Sequence, residues 1–164
     1  MKKIINILIF WLIVIALSLL PLSLTRIGLD LYLLPQIEIG LAFFLSIYTR
    51  VLPVQLFLYG LLIDVAYSTH IGISALILLM INRIICRFKS NLSKQNIGSI
   101  LFYFSITTIL VGIFKYIIFA FESSNYNGYN IKIIIINLII NIAFYPILHI
   151  ALLYSPYIDN SQKQ

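Results

Sequence analysis

The stretch GLLIDVAYSTHIGISAL, Gly60 to Leu76, decides the fold because it places an acidic residue and a turn signal inside an otherwise apolar run. Its segment YSTHIG supplies polar residues and a glycine, which divide a run too long for one membrane crossing. Asp64 precedes this break and Gly72 follows it. The pattern predicts two helices packed as a hairpin around a polar group.

Two glycines accompany the aspartate in this hairpin. Gly60 lies one helical turn before Asp64, where a small residue lets a neighbouring backbone approach closely. Gly72 begins the next helix and can supply either a positive φ angle or close packing. We therefore expect Asp64 to organise the two helices rather than to act as a catalyst.

The composition of the whole chain places this hairpin in a membrane protein. Hydrophobic residues make up 62% of the sequence, charged residues only 10%, and the mean hydropathy is +1.05. These values lie outside the range of soluble domains. With 164 residues, the chain has room for several crossings and almost none for a soluble domain. Residues 1–164 are thus predicted to form a single membrane domain of the all-α class.

Six apolar runs are long enough to be considered as membrane spans, which need about 17 to 25 residues each. The first is too long for the apolar part of a signal peptide and lacks a small-residue cleavage site, so we expect it to be retained. The predicted spans are approximately 4–24, 34–49, 51–68, 71–88, 97–121 and 131–154.

The distribution of basic residues predicts the orientation of these spans. Short cytoplasmic loops carry an excess of lysine and arginine. With six spans and a cytoplasmic N-terminus, eight of the eleven basic residues lie on the inner side, and both termini are cytoplasmic. The eight residues are Lys2, Lys3, Arg50, Arg83, Arg87, Lys89, Lys94 and Lys163.

A basic segment on this inner side, RIICRFKSNLSK, contains Arg83, Arg87, Lys89 and Lys94. Such a segment suits anionic lipid headgroups or the acidic face of a partner protein. The net charge of +6 does not favour nucleic-acid binding, because the basic residues lie between hydrophobic runs and form no basic face.

Of the charged residues within the predicted spans, Glu38, Asp64 and Lys115 converge on the outer half of the membrane. Charged groups at such positions normally face the protein interior or a cavity and find a partner. Two interpretations stay open, a structural ion pair between Asp64 and Lys115 and a polar pocket. Asn137 and Asn141, one turn apart, are expected to form hydrogen bonds between helices.

Catalytic and metal-binding patterns do not emerge from the sequence. No serine has a base at recognisable spacing, and no glycine loop of the phosphate-binding kind occurs. His70 has no second ligand at metal-binding spacing. We expect neither enzymatic activity nor a cofactor or metal.

The hairpin resembles the central signature of the MreD family of rod shape-determining membrane proteins. The matching residues are Gly60, Leu61, Leu62, Asp64, Gly72 and Ala75. This resemblance implies a non-enzymatic scaffold in the bacterial inner membrane that serves cell elongation and lateral peptidoglycan synthesis. Its implied partners are an MreC-like bitopic protein, an MreB-like actin homologue, a RodZ-like protein, and a peptidoglycan polymerase and transpeptidase.

The MreD family is also similar in predicted fold to the six-helix substrate-binding subunits of energy-coupling factor vitamin transporters. That similarity implies an alternative function, the binding of a small ligand in an outward-facing pocket near Glu38, Asp64 and Lys115. A third alternative is a proton-coupled channel or transporter with Asp64 as its relay. The short loops on the outer side favour the scaffold.

Overall fold

Six α-helices form the part of the chain that the computed structural model describes, which comprises residues 2–25, 34–49, 51–68, 70–92, 96–122 and 131–153. Their number agrees with the six apolar runs predicted from the sequence. The helices are α1 (Lys2–Thr25), α2 (Ile37–Tyr48), α3 (Pro53–Ala66), α4 (Ile73–Leu92), α5 (Ile97–Glu122) and α6 (Ile131–Leu153).

The second helix is shorter than the predicted span 34–49, because Pro35 delays its start. Proline disfavours helical geometry in the residue before it, and the first helical residue is Ile37. The third helix, by contrast, begins with Pro53 in its first turn, where a missing N–H group costs nothing. There the Gln55 side-chain oxygen accepts the Leu52 N–H at 3.1 Å.

Helix α2 lies at the centre of the molecule. It packs against α1, α4, α5 and α6, and every residue from Ile37 to Ile47 is buried. The outer helices contact one another in the order α1, α3, α4, α5, α6. A helix that is apolar on all sides is expected in the interior, so α2 supplies the core around which the others pack.

Aromatic rings fill the core on one side of α2. The Phe104 and Tyr145 rings stack with their centroids 3.9 Å apart, and Phe43 contacts both rings edge to face at 5.2 and 5.5 Å. This cluster joins α2 to α5 and α6.

The exterior of the described helices is apolar as well. Large hydrophobic side chains are exposed on α1, α3, α4, α5 and α6. By length and composition, Ile97–Ile118 of α5 and Ile134–Leu153 of α6 can each cross a membrane. Only 28% and 22% of these stretches is buried, whereas the core helix of a soluble protein is mostly buried.

The described part of the basic segment, up to Leu92, lies in helix α4, which continues past residue 88, the predicted end of the fourth span. Helix α4 continues to Leu92, whose side chain is fully buried, so packing extends the helix past the basic residues. Arg83 and Arg87 are exposed, and Lys89 is half-buried. Lys94 lies outside the described residues.

Candidate functional site

The Asp64 carboxylate binds the beginning of the following helix. Its side chain is completely buried, and its two oxygens accept the backbone N–H groups of Gly72 at 2.7 Å and Ser74 at 3.1 Å. The first N–H groups of a helix have no partner within the helix, and a negative charge there is favourable. Asp64 thus links the end of α3 to the start of α4.

Gly72 makes this link possible through its backbone conformation. Its φ angle is +103°, and a Cβ atom added there would meet no atom within 4 Å. Of the two roles expected from the sequence, the positive φ is therefore the one that the structure requires. The Gly72 carbonyl also accepts the Leu76 N–H at 2.9 Å and so starts α4.

Gly60 brings α3 and α4 into direct backbone contact. A Cβ atom at this position would lie 2.3 Å from the Ala75 Cα and 2.5 Å from the Ala75 nitrogen. No side chain fits in that space, so the close approach predicted for Gly60 is present. The hairpin is thus joined twice, by the Gly60–Ala75 contact and by the Asp64 hydrogen bonds.

A second group of polar residues, the α2 entry cluster, surrounds the start of α2 and consists of Leu34, Gln36, Lys115, Asn137 and Asn141. Lys115 Nζ donates to Gln36 Oε1 at 2.9 Å, and the Gln36 N–H donates to Asn141 Oδ1 at 2.6 Å. Asn141 Nδ2 donates to Asn137 Oδ1 at 2.9 Å, and Asn137 Nδ2 donates to the Leu34 carbonyl at 3.2 Å. These bonds tie α2 to α5 and α6.

The three charged residues of the predicted outer half come close together in the structure. Glu38 is buried in the first turn of α2, and the Lys115 ammonium interacts electrostatically with both Glu38 and Asp64. The hydrogen bond of Lys115, however, goes to Gln36. Lys115 therefore acts on both acidic residues at a distance, while hydrogen bonds hold Lys115 and Asp64 to separate helix starts.

Gln36 is the member of this arrangement that the sequence analysis overlooked. A polar residue directly after Pro35 and directly before an apolar helix is a signal for a helix start. That signal marks Gln36 as a polar residue at a helix start, but it does not show that Gln36 bonds Lys115 and Asn141.

The other end of α2 is held by aromatic and basic residues. The His149 ring lies between two tyrosine hydroxyls, with Nε2 3.4 Å from Tyr48 and Nδ1 3.1 Å from Tyr145. A neutral imidazole can donate with one nitrogen and accept with the other, so it can bond both hydroxyls. The Lys89 ammonium donates to the Thr49 carbonyl at the C-terminus of α2, where a positive charge is favourable.

The described residues offer no obvious metal-binding group. Among them, no three His, Cys, Asp or Glu side chains are placed so that they could hold one ion. The polar residues of both regions instead form hydrogen bonds between helices. Chemically, the arrangement can position helices and shield charges.

Comparisons with known proteins do not assign a family. No protein-family model matches the chain, and no curated protein or solved structure matches it either. The MreD resemblance thus rests on residues of the α3–α4 hairpin, whose packing and hydrogen bonds are described above.

Proposed function

We propose that the protein is a multi-pass protein of the bacterial inner membrane, with all six helices embedded and both termini cytoplasmic. The apolar exterior of α5 and α6 supports this proposal, because soluble monomers rarely expose apolar surface on that scale. The arrangement of α2 also supports it. A helix of 12 residues is about 18 Å long, too short to cross about 30 Å of hydrocarbon on its own. The backbone groups at its two ends are hydrogen-bonded by Asn141 and Lys89 of neighbouring helices. A membrane interior requires such partners, because it holds no water that could bond these groups.

Within that membrane, we propose a non-enzymatic scaffold of the cell-elongation machinery, similar to MreD. One observation carries the proposal: the polar groups of the outer half are used to join helices to one another. Asp64 binds the start of α4, and Lys115 binds Gln36 at the start of α2. A ligand pocket needs polar groups that converge on an open space, whereas Asp64 bonds backbone N–H groups and Lys115 bonds a side chain of the protein itself.

The proposed partners are those of the elongation complex: an MreC-like bitopic protein, an MreB-like filament, a RodZ-like protein, and a peptidoglycan polymerase and transpeptidase. Anionic lipids at the basic end of α4 complete the set.

Depletion of the protein in its native bacterium, combined with affinity capture from mild detergent, tests this function. Round cells and recovery of a bitopic partner are expected. Normal rods together with an ATPase-linked partner would refute the scaffold.

The Tyr59 hydroxyl favours a second candidate function, the ligand-binding subunit of an energy-coupling factor type transporter. Tyr59 is only 2% exposed, and its hydroxyl, which lies near the Ser18 side chain, makes no hydrogen bond of standard geometry in the described part of the chain. Glu38 lies within electrostatic range of it. Native mass spectrometry of the purified protein tests this candidate. A retained small molecule that is lost in Tyr59→Phe would support the transporter, and a protein that carries none would favour the scaffold.

A further inference from the structure

Two arginines form an exposed charged stripe on α4. Arg83 and Arg87 lie one turn apart, and the exposed Leu76 lies two turns before Arg83 on the same side of the helix. We call Leu76, Arg83 and Arg87 the α4 arginine face. Neither arginine forms an ion pair or hydrogen bond within the described part of the chain. Unlike Lys89, neither arginine bonds another helix among the residues that the structure describes.

The depth of Arg83 makes its exposure costly. Helix α4 has 20 residues and is about 30 Å long, so Arg83 lies about 15 Å from its first residue, near the middle. The inner end of the bundle is marked by Lys89, which bonds Thr49 at the end of α2. Arg83 precedes Lys89 by six residues, or about 9 Å of helix. In the proposed orientation, Arg83 therefore starts well inside the hydrocarbon.

The direction of the side chain opposes an escape to the inner surface. In an α-helix, each Cα–Cβ bond tilts towards the N-terminus, and the N-terminus of α4 is the outer end. The stem of Arg83 therefore leads towards the bilayer centre. An arginine that faces lipid at that depth costs a few kcal/mol on insertion scales, and such residues normally meet a counter-charge.

Another protein is the better source of that counter-charge. The two acidic side chains that the structure describes, Glu38 and Asp64, are buried elsewhere in the bundle. Lipid phosphates lie at the headgroup level, about 9 Å from the Arg83 backbone position. A carboxylate on a neighbouring membrane helix can sit at the depth of Arg83 and accept two parallel hydrogen bonds from its guanidinium.

We propose that the α4 arginine face binds the transmembrane helix of a single-span partner, with a carboxylate in that helix paired to Arg83 and the inner end of the helix near Arg87. The exposed Leu76, two turns before Arg83 on the same side of the helix, gives an apolar contact next to the charges. This inference rests on the proposed scaffold function and specifies the partner surface of the scaffold.

Photo-crosslinking in intact cells tests the interface. A photoreactive amino acid replaces Leu76, and a second one replaces Ile139 on α6, which is 61% exposed and serves as the control. We expect Leu76 to capture one single-span protein whose crosslinked segment contains an aspartate or glutamate. The yield should fall about tenfold in Arg83→Leu and much less in Arg83→Lys. Exchange of the two charges, Arg83→Glu with the partner's carboxylate changed to arginine, should restore it.

Other outcomes would overturn the interface. These are a yield unchanged by Arg83→Leu, adducts only with phospholipid, or adducts only with the protein's own C-terminal residues around Asp159. Arg83→Leu should leave the melting temperature unchanged, and a loss as large as that of a core variant would make the arginine structural. If Leu76 gives no crosslink but depletion still causes loss of rod shape, the interface is refuted and the shape function is not. A charge-dependent crosslink in cells whose shape is unaffected refutes the shape function alone.

Discussion

At the scale of single residues, Asp64 is the side chain whose chemistry matters most. Each of its oxygens accepts one N–H group at the start of α4. Both donors are backbone groups, so they would have no partner within α4 if the carboxylate were removed. The same residue bears a charge that stabilises the positive end of the helix. Asp64 thus stabilises the start of α4 both as a hydrogen-bond acceptor and through its negative charge.

Replacement of Asp64 by alanine should lower the free energy of unfolding by about 2 to 3 kcal/mol, because two buried N–H groups lose a charged acceptor. Asp64→Asn keeps one oxygen acceptor and should lose about half as much. The measurement is an unfolding titration of the purified protein in mixed micelles. Ser74→Ala is the matched control, because Ser74 contributes only its backbone N–H to this bond. Equal losses of unfolding free energy in Asp64→Ala and Ser74→Ala would contradict the role of the Asp64 carboxylate as acceptor.

Glu38 and Lys115 should stabilise the protein as a coupled pair of charges. Glu38→Gln and Lys115→Met each leave the other charge without its counter-charge in a low-dielectric interior. In a double-mutant cycle we expect a coupling free energy of at least about 1 kcal/mol. Fully additive losses would show that the two charges do not act on each other.

Much of the residue-scale picture follows from the sequence, and part of it does not. The need for glycine at positions 60 and 72 follows from their spacing around Asp64 and the turn, and the outer-half position of Asp64 stays a prediction. That the Asp64 carboxylate accepts backbone N–H groups does not follow from the sequence. A hairpin turn can bring either a side chain or a backbone group to the carboxylate. The partner of Lys115 could not be predicted either. Its predicted depth matches that of Asp64, but its hydrogen bond goes to Gln36.

At the scale of helices, the α3–α4 hairpin and α2 behave differently. The hairpin is defined by local features, a glycine contact and a capped turn within 16 residues of sequence, Gly60 to Ala75. Helix α2 depends on residues far away in the chain. Its central position could not be predicted, because a helix that is apolar on every side gives no sign of which neighbours surround it. The continuation of α4 past residue 88 could not be predicted either, because it is accompanied by burial of Leu92 within a polar stretch.

Gly60→Ala tests the contact between α3 and α4. The added methyl group would overlap the Ala75 backbone, so the helices must separate and the free energy of unfolding should fall by about 1 to 3 kcal/mol. Gly98→Ala is the control within a helix. Its Cβ would meet nothing within 4 Å, and alanine should stabilise α5 by up to about 1 kcal/mol. A Gly60→Ala variant as stable as Gly98→Ala would show that the α3–α4 contact does not require glycine.

At the scale of the whole molecule, the proposed topology of six embedded helices would place the α3–α4 turn outside and the end of α4 inside. Alkaline phosphatase fused after His70 should therefore be active, and phosphatase fused after Leu92 should be inactive. A fluorescent reporter that folds only in the cytoplasm should give the reverse pattern at both sites. Phosphatase activity after Leu92 would show that the orientation is inverted or that the chain makes fewer crossings. It would also contradict the proposed inner location of the basic residues.

The bonds at the start of α2 also constrain how the protein is made. Gln36 and Asn141 are bonded although 105 positions separate them in the chain. Until the ribosome has delivered α6, the backbone at the start of α2 lacks its acceptor and the buried Glu38 lies in an unfinished bundle. Nascent chains should thus keep this short helix close to the insertion machinery and release it only after the last segment arrives. Chains truncated before α6 would be early substrates for membrane quality-control proteases.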